Sequence, residues 1–168
     1  MASYERQGFA DVTLYHTSPS DGFTENDGRV ALTGLEALAR LPIAQLRADR
    51  SLGYNTAAFL SGYRRSPIAG FDDQLDYAIE QVPDLPIKSR PAATQELGAT
   101  AVMGSQLVSS QPDAQYEGIA GFWYGTVSCL DRAAAALRHA NYVGASCYGG
   151  AVAVVGDDPA GLDSPVPT

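Results

Sequence analysis

The chain is short of cysteine, histidine and basic side chains, and each shortage excludes a class of function. Its 168 residues include 2 cysteines, 2 histidines and 11 Lys or Arg against 19 Asp or Glu, a formal charge of -8. Cys129 and Cys147 lie far apart in sequence, which predicts small buried apolar side chains rather than a bridge or a metal pair. The densest basic stretches are Arg64-Arg65 and Arg47 to Arg50, so nucleic-acid binding has no electrostatic footprint. No apolar run approaches the roughly 20 residues of a membrane span. The N-terminus, MASYERQGFADVTLYH, lacks the basic start and apolar stretch of a secretory leader. The expectation is a cytoplasmic chain with no nucleic-acid and no membrane partner.

Catalytic signatures are equally scarce. There is no GxGxxG and no GK[ST], so nucleotide binding through those phosphate cradles is not expected. His16 falls in the N-terminal region, and His139 lies in a helical stretch beside Arg138, where a packed or capping role is expected. No elbow sequence supports a Ser/His/Asp triad. Asp157-Asp158 are adjacent carboxylates that point apart and lack the other ligands of a magnesium site, so no metal is assigned.

What is present is globular. Hydrophobic residues make up 45% and charged residues 18%, and the length suits one substantial core. Residues 1–28 are polar and turn-rich and read as an extended arm that Tyr4, Phe9, Leu14, Tyr15 and Phe23 pin to a surface. Leu35, Leu38, Leu41 and Leu46 keep a helical rhythm that closes at Gly53, with Pro42 predicting a kink or break near Leu41. YNTAAFLSG reads as a buried strand, FDDQLDYAIEQV as a helix and Leu85 to Ile87 as a short extended piece. A small-residue helix follows in TQELGATAVMGSQLVSS, with Thr94 as N-cap. YEGIAGFWYG is a second buried strand, CLDRAAAALRHANYVG an Ala-rich helix, and GGAVAVVGDD the clearest strand of all, also read as buried.

Strands that are nearly all apolar and separated by helices predict an α/β fold, a parallel sheet with helices on both faces. The α/β domain spans 29–158, and 159–168 form a loose tail. Ligands of such sheets bind beyond the carboxyl ends of the strands. Three of these ends are rich in Gly, Ser or Asp: SGYRRSP, YGTVSCLD and GDDPAG. For any one of them an ordinary strand-to-helix turn is the favoured reading.

Five segments occur in one order: GRVALTGLEALARLPIAQLRADRSLGYNTAAFLSGYRRSPIAGFDDQL, ELGATAVMGSQ, YEGIAGFWYG, DRAAAALRHAN and GGAVAVVGDD. Over residues 22–158 the series resembles the start of the fused indolepyruvate ferredoxin oxidoreductases, thiamine-diphosphate enzymes of the 2-oxoacid:ferredoxin oxidoreductase group. The resemblance implies the opening of a pyrimidine-type thiamine-diphosphate-binding domain, here incomplete. The family oxidatively decarboxylates an aryl 2-oxoacid to its acyl-CoA and passes electrons through iron–sulfur clusters to ferredoxin. It implies that Ser61, Gly62, Tyr63, Arg64, Ser66, Asp131 and Arg132 contact the cofactor, and that a carboxylate at the start of the small-residue helix holds the pyrimidine nitrogen.

The sequence departs from the family at that carboxylate. The activating glutamate falls on Gln95 and the second acid on Glu96, which lies about 100° further round a helix. Arg65 stands where the family has glycine, and a glycine-proline-glycine loop has become Thr126 to Leu130 ahead of the retained Asp131-Arg132. Two cysteines cannot ligate an iron–sulfur cluster that needs four, so no cluster is expected in this chain. The implied reading is at most half a thiamine diphosphate site, inactive alone, with partners supplying the pyrophosphate and magnesium half. Those partners are separately encoded domains or further copies of the chain. The alternative is a non-catalytic binding or scaffold derivative, or a gene remnant. A small standalone enzyme reusing the fold is a third possibility.

Overall fold

A computed structural model describes residues 18–63 and 70–156. Tyr4, Phe9, Leu14, Tyr15, His16, Arg64, Arg65, Ser66, Asp157 and Asp158 lie outside the described residues. Within the expected extended arm, Asp21–Thr24 instead form a single helical turn, α1. The Arg40 guanidinium donates to the carbonyls of Gly22 and Glu25, and that of Arg47 to those of Thr24 and Glu25. Phe23 is thereby sunk into the core, edge-on to Tyr77.

Helix α2 (Gly34–Ser51) begins with a capping box. Thr33 N–H donates to the Glu36 carboxylate at 2.6 Å, and Glu36 N–H donates to the Thr33 hydroxyl at 3.3 Å. Hydrogen bonds to the carboxyl from Thr33, from its backbone first and then from its side chain, hold Glu36 below its ordinary value. Of the kink or break expected near Leu41, the break does not occur, and the helix is continuous through Pro42. The proline ring is buried on the same face as Ala39, Ile43 and Leu46, so packing offsets the one missing helical hydrogen bond. Gly53, at φ 84°, then ends the helix in the left-handed conformation expected of a glycine cap.

Four strands follow, β1 (Thr56–Gly62), β2 (Ile87–Ser89), β3 (Gly118–Thr126) and β4 (Gly150–Gly156). They form one all-parallel sheet in the order β2-β1-β3-β4. Between them run α3 (Phe71–Glu80), α4 (Gln95–Ser105), a 3-10 turn at Val108–Ser110 and α5 (Val127–Val143). The chain leaves β1 towards β2 and leaves β3 towards β4, so right-handed crossovers place α3 on one face and α5 on the other. Two cores result. Ile43, Leu46 and Leu75 pack with Leu60, Phe122 and Tyr124 on the α2/α3 face. Ala99, Val102, Cys129 and Ala133 pack around Trp123 on the α4/α5 face. Helices therefore cover both faces, as the all-apolar strands required.

Several boundaries differ from expectation. The short extended piece lies at Ile87–Ser89 rather than Leu85 to Ile87, because Leu85 turns into the core. The small-residue helix stops at Ser105, and Val108–Ser110 form a separate turn. The larger correction concerns β4. It was expected to be buried, yet none of its residues is, and Val152 and Val155 are 49% and 39% exposed. Its outer side has no partner strand among the described residues, and α2 lies over β1 and β3 while α3 packs on α2 and β2 instead.

Candidate functional site

In the observed strand order the chain diverges after β1 and β3, so the switch point lies between their carboxyl ends. Ser61 and Gly62 close β1 there. The buried Ser61 hydroxyl donates to the Arg90 carbonyl at 2.7 Å, and Gly62 C=O accepts from Ala92 N–H at 2.8 Å. Tyr63 continues the pairing through a bridge to Ala92. These bonds tie the end of β1 to the segment that leads into α4.

The first turn of α4 sits on the same end of the sheet. Thr94 caps it as expected, its hydroxyl accepting from Leu97 N–H at 3.3 Å. A Cβ on Gly98 would meet the Gly62 Cα at 3.3 Å, and a Cβ on Gly62 would meet the Tyr124 ring and carbonyl at 2.4 Å. Both glycines are thus used for close packing of helix and strands. The Gln95 carbonyl accepts from the Trp123 indole N–H at 3.2 Å, which fixes the start of α4 above β3.

Glu96 is held below its ordinary value, first by its own backbone N–H, then by the Thr94 hydroxyl, with the Arg132 charge adding to both. Arg132 and Asp131 lie exposed on α5. The structure accordingly brings Ser61, Gly62, Tyr63, Gln95, Glu96 and Arg132 to one end of the sheet. Arg64 and Ser66 fall outside the described residues.

The second expected turn, YGTVSCLD, is not a loop. β3 ends at Thr126 and α5 begins at Val127, with Thr126 itself as N-cap. Its hydroxyl accepts from Cys129 N–H at 3.3 Å and lies 3.0 Å from both the Ser128 hydroxyl and the Cys129 sulfur. Cys129 is buried as expected, whereas Cys147 is exposed. His139 is also exposed on α5, so the packed role expected for it is not realised.

One pairing was not foreseen from sequence. The Tyr124 hydroxyl donates to the Asp72 carboxylate at 2.6 Å, linking β3 to the first turn of α3 across the switch point. The signals were there separately: an aspartate beginning a helix, and a tyrosine near the end of a buried strand. Among the described residues no group of three His, Cys, Asp or Glu side chains is placed to hold a metal ion. No helix among them is long and apolar enough to cross a membrane.

A thiamine diphosphate pyrimidine would need a buried carboxylate that shares a proton with its ring nitrogen. Neither residue at the start of α4 supplies that carboxylate. Gln95 is an amide, and Glu96 is bound by donors at a helix start that shift it towards the ionised form. No family model, curated protein or solved structure matches the chain.

Proposed function

We propose that the chain is a pyrimidine-type domain of a 2-oxoacid:ferredoxin oxidoreductase-like assembly, supplying at most half of a thiamine diphosphate site and inactive without partner domains. The supporting observation is the convergence of the β1 end, the α4 start and Arg132 of α5 on one end of a doubly wound sheet. That is where such sheets accept ligands. The missing half, with the pyrophosphate and magnesium groups, would come from separately encoded domains or another copy of the chain.

A second reading, a non-catalytic binding or scaffold derivative, is favoured by the acid–base set. Gln95 offers a hydrogen bond without charge, and Glu96 is engaged by Thr94 and its own N–H. Calorimetry with thiamine diphosphate and magnesium separates the readings from a self-sufficient enzyme. The purified chain is expected to show no micromolar binding, and micromolar binding would overturn the half-site proposal. Amide NMR shifts at Gly62, Gln95 and Gly98 on adding millimolar thiamine support the half-site. Their absence favours the scaffold reading.

A further inference from the structure

A groove of about 640 Å³ lies away from the switch point, between β1, β2 and the far end of α4. Phe59, Lys88, Gly104, Leu107, Val108 and Tyr116 are among its lining. The volume is that of a site for one small molecule. Its wall is apolar, and Leu107 remains 40% exposed within it.

Charge distinguishes the groove from the rest of the molecule. The chain carries -8, yet no carboxylate lines the groove and Lys88 is its one charged residue. The two acids adjoining the lining in sequence are engaged elsewhere. Asp84 pairs with Arg50 at 3.4 Å, and Glu117 accepts from Asn55 N–H at 2.8 Å. Lys88 pairs in register with Phe59, so both side chains fall on the face that α4 covers. No ion pair or hydrogen bond engages the Lys88 ammonium among the described residues.

We propose that this groove binds a small amphipathic anion, its apolar body along Phe59 and Leu107 and its carboxylate at Lys88. The inference is independent of the half-site reading, because the groove shares no residue with the switch point. Gly104 gives a direct test. It is helical and lines the groove, with open space where a Cβ would stand, so Gly104→Leu is the substitution chosen to fill the groove.

Calorimetry of the full chain with decanoate and with decylamine reads the result. Decanoate is expected to bind more tightly, since Lys88 attracts one head group and repels the other, each effect worth up to about fivefold. Lys88→Glu should reverse the order, and Gly104→Leu should abolish binding of both while the melting temperature holds or rises. Decanoate that fails to bind, an order unchanged by Lys88→Glu, or binding that survives in a folded Gly104→Leu variant would each overturn the proposal. Lys88 is exposed, so the charge reversal is informative whether or not the plugged variant folds.

Discussion

β3 and β4 are neighbours with similar sequences, GIAGFWYGT and GAVAVVG, and their environments are opposite. β3 is flanked by strands on both sides and covered by helices on both faces, and all of its residues but Ala120 are buried. Among the described residues β4 pairs along one edge only, through a register that sets Phe122 beside Val152 and Tyr124 beside Val154. The difference teaches that an apolar run specifies a strand, while position in the sheet decides whether it is buried. β4 also carries no proline or charged residue within Gly150–Gly156, the usual devices that blunt an exposed edge.

The comparison can be broken most directly by truncation. Trp123→Ala is expected to cost about 3–5 kcal/mol, since the ring is 1% exposed at the centre of the α4/α5 core. Val152→Ala on the adjoining strand should cost less than about 1 kcal/mol. Urea unfolding measures both, and similar losses would mean that β4 is covered in solution. A smaller effect sharpens the role of the switch point. Tyr124→Phe keeps the ring against Phe71 but strips the Asp72 carboxylate of its phenol donor, a loss of about 1.5–3 kcal/mol by the same measurement. No counterpart exists on β4, where Val154 stands beside Tyr124.

The smallest expected effect lies at the helix starts that flank the sheet. Glu36 and Glu96 are both held below their ordinary value in the folded chain. The stability that they contribute is therefore present at neutral pH and is lost as pH falls through the depressed folded values. Replacing both by Gln should lower the melting temperature slightly at neutral pH and leave it unchanged near pH 2. A difference that persisted in acid would assign their role to packing instead of charge.

Much of the fold was legible because the local signals agreed. Thr94 capped its helix, Gly53 ended another, and the runs around Phe59 and Trp123 became central strands. Pro42 does not break its helix because that helix is anchored by buried neighbours, a tertiary effect that a propensity rule does not contain. Cys147 and His139 misled for the same reason as β4: residue type alone does not say where the covering elements end. At the site, the strand ends were visible in the Gly and Ser content of SGYRRSP, but Tyr124 and Asp72 are far apart in sequence and only the strand order brings them together.

The direct passage from Thr126 into α5 has a mechanical consequence. A loop at that junction would let the helix shift while the sheet stayed still. Here the last residue of the central strand is also the first cap of the helix, and it pairs across to Gly156. A push on the first turn of α5, by a ligand or a docked chain, has no slack to absorb it and acts as a lever on the ladder between β3 and β4.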